Sequence, residues 1–272
     1  MKIQTAITLI CTSLAVFFSA VQPQKATAQQ IDTIRLKDKR LNTATLKPGV
    51  RQYLVTMQSQ SKPKSLYNWF WVRDTRTEQR NGEKVFVTTQ HWYGSDTTAY
   101  RAVYSVNRAS DFAPIYHREL AGGKTVASNW TPTRITAADS VAANVKKDMS
   151  IALTEPAFNW NLDIETFEML PLAAGKAFAI NFIDVNGMTE PKYAVYKVSG
   201  SEVLNTLDNQ KVDCWKLVYE SDHAGRHYVQ AFWISKKGKE MLKEEDSMPG
   251  GYRYKIKMPA AMPNVAERFT AK

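Results

Sequence analysis

The segment Tyr67-Asn68-Trp69-Phe70-Trp71-Val72 limits what this chain can become more than any other feature. Its residues are aromatic or β-branched, which is the composition of a strand. Because strand side chains alternate, Tyr67, Trp69 and Trp71 share one face, and Phe70 and Val72 occupy the other. A sheet that is apolar on both faces must cover both. A helix can cover one side while the sheet curls over the other, or one side can face a ligand cavity.

Similar runs recur along the chain, separated by turn residues. Asn81-Gly82 predicts a tight hairpin, since both residues tolerate positive φ, and it leads into Val85–Thr89. Gly94-Ser95-Asp96 marks the next turn, Tyr100–Val106 another strand, and Gly122-Gly123 a further hairpin. After Gly175 the reading is Phe178–Ile183, then Tyr193–Val198 ended by Gly200, then Val212–Tyr219. The Ala224-Gly225 turn leads into His227–Ile234, and Gly250-Gly251 precedes Tyr252–Met258. In that last strand Tyr252, Tyr254, Ile256 and Met258 alternate with Arg253, Lys255 and Lys257, which predicts one buried apolar face and one wet basic face. The spacing is that of an antiparallel meander.

One helix interrupts the strands. In Asn161–Leu170, together with the preceding Trp160, the residues Trp160, Ile164 and Phe167 fall on one helical face. Asn161 is the expected cap, Asp163 and Glu165 complement the positive end of the dipole, and Pro171 stops the helix. About ten residues do not hold a helix alone in water, so it must rest on the sheet. Glu165 and Glu168, three apart, are expected to be solvated.

The ends carry their own signals. Lys2, an uncharged apolar stretch from Ile7 to Val21, and the small-x-small site Ala26-Thr27-Ala28 read as a secretory signal cleaved after Ala28. The apolar stretch is shorter than the ~20 residues of a spanning helix, so no membrane span is expected in the mature chain. The expected organisation is a signal peptide at 1–28, a lead-in at 29–48, a single β-rich domain at 49–260 and a loose tail at 261–272. The expected location is the periplasm or cell envelope of a Gram-negative bacterium. Cleavage leaves Cys214 as the one cysteine, so no internal disulfide forms; its apolar neighbours Val212, Trp215 and Leu217 predict a buried thiol. The net charge of +10 comes from scattered lysines and arginines without a basic block. With export, that argues against nucleic acid as a partner.

No catalytic motif stands out: no Gly-x-Ser-x-Gly elbow, no phosphate-binding glycine loop, no His-Glu-x-x-His. His223 and His227 are four apart but flank a hairpin turn, so no metal site is expected. Glu244-Glu245-Asp246 reads as an exposed loop between strands. The catalytic and cofactor assignments are therefore none. Trp69, Trp71, Trp215 and Trp233 lie within strands; they either fill a core or line an apolar groove, and they are the candidate ligand-binding residues.

Several segments together carry a resemblance. Phe158 to Leu172 ends in Leu170-Pro171-Leu172, Gly175 opens a strand, and Val198-Ser199-Gly200-Ser201-Glu202-Val203 closes one with a Gly-x-Glu turn. Phe232-Trp233-Ile234-Ser235 is followed by Met241-Leu242, and Asp111–Ile115 fits more loosely. In order and spacing the chain resembles a bacterial envelope family, domain of unknown function 3108. It departs where Lys236-Lys237 replaces that family's acidic residue. The resemblance implies a mainly β, β-rich α+β fold: a strongly curved antiparallel sheet, or half-open barrel, with short helical segments across its mouth. It is similar to Lol-type lipoprotein carriers and implies no activity. The expected function is a non-catalytic exported envelope protein that binds a lipid, lipoprotein or other apolar ligand. The alternatives are an assembly protein binding another envelope protein through an edge strand or apolar patch, and a hydrolase acting on envelope polymers.

Overall fold

A computed structural model describes residues 30–95, 99–187, 190–223 and 225–267. The expected signal segment lies outside these residues, as do parts of the expected turns at Gly94-Ser95-Asp96 and Ala224-Gly225. The described strands are β1 (Ile31–Ile34), β2 (Gly49–Ser59), β3 (Lys62–Arg80), β4 (Glu83–Tyr93), β5 (Arg101–Arg108) and β6 (Pro114–Ala121). They continue as β7 (Lys124–Trp130), β8 (Arg134–Ala137), β9 (Ser150–Ala152), β10 (Phe158–Asn159) and β11 (Ala177–Ile183). The last are β12 (Lys192–Asn205), β13 (Lys211–His223), β14 (Arg226–Ser235), β15 (Met241–Met248) and β16 (Gly251–Lys257). A 3-10 turn, Trp160–Leu162, runs into the helix α1 (Asp163–Glu168).

All the strands belong to one unclosed sheet, ordered β1-β11-β12-β13-β14-β15-β16-β2-β3-β4-β5-β6-β7-β8-β9, with β10 added beside β11. Two meanders, β2 to β9 and β11 to β16, are joined where β16 pairs antiparallel with β2. Asn81 (φ 50°) and Gly82 (φ 80°) make the expected tight hairpin, and Gly122 and Gly123 (φ 54° and 73°) make another. Register shifts at Gln58/Ser59, Val106/Asn107, Val198/Gly200 and Trp233/Ile234 add local twist, which helps a long sheet to curl. At Val198/Gly200 the structure corrects the expected end of a strand: β12 bends there and continues to Asn205.

The concave side holds the main core. Tyr53, Trp71, Phe178, Phe182, Tyr196, Leu217 and Phe232 point inward and meet Ile164 and Phe167 of α1. Phe167 sits 4.6 Å from the Tyr196 ring and 4.9 Å from Phe232. The helix is therefore inside the curve, not laid on its surface, and residues Ile164 to Glu168 are all buried. The gap between the sheet ends has no ladder. It is filled by side chains, with Val126, Trp130, Ile135 and Leu153 packing against Ile183 and Val185.

The expected facing of β16 is reversed. Alternation holds, but Lys255 is 5% exposed on the concave side, while Tyr252 is 38% exposed on the convex side. Lys255 pairs across β2 with Val55 and across β15 with Glu244, both on the concave side. Likewise Glu244-Glu245-Asp246 is not an exposed loop: it lies in β15, with Glu244 and Asp246 buried. In the lead-in, β1 pairs parallel with β11, and Leu36, Leu41 and Leu46 enter the core. Beyond β16, Met258 N–H donates to the Gln52 carbonyl, Met262 N–H donates to Gln52 Oε1, and Val265 is buried.

Where β15 turns into β16 the backbones are too close for a side chain. A Cβ on Gly251 would stand 2.4 Å from the Gln58 carbonyl oxygen, whereas one on Gly200 would meet open space. Gly251→Ala is expected to destabilise the chain by about 1–3 kcal/mol, as overpacking does. Gly200→Ala is expected to leave stability nearly unchanged. Urea denaturation of both variants checks this, and equal midpoints would refute it.

Candidate functional site

The centre of the curve is a set of buried ion pairs that hold α1. Arg73 on β3 grips Glu165 through both Nε, at 3.0 Å, and Nη2. Arg51 on β2 donates from Nη1 to both Glu168 oxygens, at 2.8 and 2.6 Å, and Met241 N–H donates to Glu168 Oε1 at 2.9 Å. Tyr53 Oη donates to the Met241 carbonyl at 3.1 Å, so β2, β15 and α1 are locked together. Glu165 and Glu168 are thus not solvated, as the sequence suggested, but 0% and 1% exposed. The physical reason is that the helix enters the sheet, where carboxylates persist only if paired.

Next to this clamp is a second charged group. Lys255 Nζ donates to both Glu244 oxygens at 2.6 Å, and Arg253 Nη2 lies 2.5 Å from Asp246. Asp163 lies near them at the start of α1, and its side chain accepts from Ile164 N–H. Burial pushes Glu168 up to about 7, against the opposing pull of Arg51. Burial likewise pushes Glu244 up to about 7, against Lys255, and it raises Asp163. Burial also lowers the Lys255 ammonium below its ordinary value.

Above the charges the concave face is aromatic and only partly covered. Trp71 is buried and stacks on Trp92 at 4.5 Å. Trp69, Trp92, Trp160, Trp215 and Tyr219 pack against the main core but stay partly accessible. Lys255 lies 4.9 Å above the Trp71 ring, and Arg101 lies 5.9 Å from that of Trp92. The result is an aromatic mouth over a charged floor.

The four tryptophans singled out from the sequence do not share one surface. Trp69 and Trp71 lie together on β3, in the mouth and at its base. Trp215 packs against the main core from β13. Trp233 faces the convex side with Cys214 and Leu242, its Nε1 donating to Glu202 and its ring between Lys216 and Lys243. Sequence reasoning missed Trp92 and Trp160. Trp92 continues the inward alternation of Phe86, Thr88 and Gln90, so its strand parity was a usable signal.

His117 is fully buried. Its Nδ1 lies 2.9 Å from Ser105 Oγ and 2.9 Å from Asn159 Nδ2, and its Nε2 is 3.9 Å from Glu119. Burial alone would raise Glu119, but the adjacent His117 and Arg101 hold it down to about 2. A serine, a histidine and a carboxylate thus meet, yet Ser105 and His117 are 0% exposed and present no face to a substrate. His227 bonds Asp222 on the exposed β13–β14 hairpin. Among the described residues no group of His, Cys, Asp and Glu is arranged to hold a metal. Cys214 is buried, and burial pushes its thiol up to about 11, far from a nucleophile's range. No described helix is long and apolar enough to cross a membrane.

A single, mostly antiparallel sheet rolled around a short ion-paired helix defines a β-barrel-like protein with a filled base and an aromatic mouth. The chain belongs to the family described as protein of unknown function (DUF3108), which matches residues 65–257. Among solved structures it is similar to a β-barrel-like protein of domain of unknown function DUF1849 from Brucella abortus. That likeness has a TM-score of 0.51 at 10% identity, over 78% of this chain and 96% of the other. It establishes the fold alone. No curated protein matches the chain.

Arg73→Met leaves Glu165 buried and unpaired, and is expected to cost about 3–5 kcal/mol. The double variant Arg73→Met/Glu165→Leu is expected to recover most of that loss, because the isolated charge is gone. Urea titrations of the three proteins test this, and a double variant no more stable than Arg73→Met refutes it.

The pH dependence has a definite sign. Burial raises folded Glu168 to about 7 and raises Glu244 as well, so their ion pairs with Arg51 and Lys255 form fully only above that range, whereas the unfolded chain releases these protons near 4.5. Their contribution is therefore full below 4.5 and lost as pH rises through 7. Glu119, depressed to about 2, acts oppositely: its contribution fades as pH falls from 4.5 toward 2. Stability is expected to peak near pH 5 and decline toward 7, with a shallower decline in Glu168→Gln. Chemical denaturation at stepped pH measures both slopes, and identical slopes would exclude Glu168 as a source.

Proposed function

We propose that this chain is a non-catalytic, exported envelope protein that takes up the apolar part of a lipid or lipoprotein at the aromatic mouth of its sheet. One observation carries the reading. Trp69, Trp92, Trp160 and Tyr219 pack against the core yet remain partly open, on the concave side of the sheet. Aromatic side chains supply large apolar area and tolerate a wet rim, as a site for an amphiphile requires. The filled base makes the site shallow. Export rests on Lys2, the apolar stretch and Ala26-Thr27-Ala28.

A second reading, binding of another envelope protein, is favoured by the convex face. Leu66, Phe70 and Tyr252 are exposed there, on the neighbouring strands β3 and β16 with β2 between them. Exposed apolar side chains gathered on one face can mark interaction sites.

The test is to isolate the full-length gene product from a periplasmic extract and analyse it by mass spectrometry, intact and after extraction into organic solvent. A chain beginning at Gln29 with a stoichiometric lipid is the expected result. Trp92→Ala is expected to lose most of that lipid while Phe70→Ala keeps it. Lipid-free protein, or lipid retained by Trp92→Ala, would count against the mouth as the site.

A further inference from the structure

The mouth has a floor whose charges do not balance. Arg51 stands against Glu168, Arg73 against Glu165, Arg101 against Glu119, Arg253 against Asp246, Lys255 against Glu244 and Lys257 against Glu240. Asp163 is the carboxylate left over. It feels Lys255, Arg73 and Arg253, but those bases are committed to Glu244, Glu165 and Asp246. Its hydrogen bond comes from the backbone N–H of the next residue, so the side chain is not tied into the pairs around it. Asp163 lies deep in the curve, and its residue is half-buried where its neighbours Leu162 and Ile164 are fully buried.

A second group nearby also lacks a partner. Trp92 Nε1 is sealed from solvent and has no acceptor among the described residues. Its ring is stacked on Trp71, and Lys255 lies 4.9 Å over one ring and 6.0 Å over the other, which places the aromatic wall beside the charged floor. A carboxylate with no ion-pair contact of its own, beside aromatic faces, is a chemical environment that can select ammonium groups, through ion pairing and cation–π attraction.

Resting on the reading of the mouth as a ligand site, we infer that its ligand is an amphiphile with an ammonium group at its polar end, seated on Asp163 with its apolar chain along Trp69, Trp92 and Trp160. The overall charge opposes this preference: a chain of net charge +10 attracts anionic amphiphiles non-specifically. Selection of a cation therefore has to come from a local site.

The experiment titrates the full chain at neutral pH with dodecylamine, dodecanoate and dodecyl maltoside, each below its micelle-forming concentration. Tryptophan fluorescence and calorimetry report binding. Dodecylamine is expected to bind at least about tenfold more tightly than dodecanoate, a difference of about 1.4 kcal/mol. Asp163→Asn is expected to abolish that preference while leaving dodecyl maltoside binding unchanged. The comparison of probes on the unaltered chain stands even where the variant does not fold. Equal affinities, or a preference for dodecanoate, overturn the ammonium assignment and leave the mouth in place. An undiminished preference in folded Asp163→Asn also overturns it. Binding of none of the three removes the mouth reading as well.

Discussion

The structure depends on two carboxylates that enter the curve of the sheet on α1. Glu165 and Glu168 are tolerable there only because Arg73 and Arg51 reach them from adjacent strands. Such pairs add little net stability over an apolar replacement, because desolvation offsets most of the Coulomb gain. They do fix geometry. Glu168 meets Arg51 and the Met241 N–H, which sit at opposite ends of the sequence, and Tyr53 reaches the Met241 carbonyl. A helix of six residues, too short to persist alone, acquires one position and one orientation.

That clamp dictates the rest of the concave face. The side of the sheet facing α1 has to carry bases as well as apolar groups, so Arg51 alternates with Tyr53 and Val55, and Arg73 with Trp71 and Trp69. On β15 and β16 the inward positions are Glu244, Asp246, Arg253 and Lys255, which neutralise one another. The apolar packing lies on the other flank, where Phe167 is surrounded by Phe182, Tyr196 and Phe232. The free edges are short, four residues in β1 and three in β9. Short edges offer little to a foreign strand, and the side chains in the seam supply closure that the hydrogen-bond ladder does not.

Much of this was legible in the residues. Asn81-Gly82 and Gly122-Gly123 fall at hairpins because positive φ is needed there. Ile164 and Phe167 are core residues of a helix, and Cys214 is buried, as their settings indicated. Alternation, however, states only which residues share a face, never which face is inside. For β16 the ordinary rule, tyrosines in and lysines out, fails because the acids that Lys255 and Arg253 answer are supplied by β15 and α1. No local pattern in 252–258 contains that information. Glu165 and Glu168 misled for the same reason: their partners lie about ninety residues or more away along the chain. The mouth was partly legible through Trp69 and Trp71. Trp92 joins them only once register sets it opposite Trp71, and Trp160 reaches the edge of the core only through the 3-10 turn that sets it against Phe182.

The clamp also limits what a ligand can do. A half-barrel that stores an acyl chain within its curve needs an empty interior. Here α1 and its aromatic neighbours occupy the base, and withdrawing the helix would strand Arg51 and Arg73 without their carboxylates. Removing one partner of a buried pair costs about 3–5 kcal/mol, and two pairs would break together. An apolar chain would have to supply that free energy before gaining anything from the cavity it opened. The burial of a few methylenes, at about 0.8 kcal/mol each, does not. The uptake proposed above would therefore be confined to the space above Trp71, where a ligand would lie against rings already in place and leave the ion pairs intact.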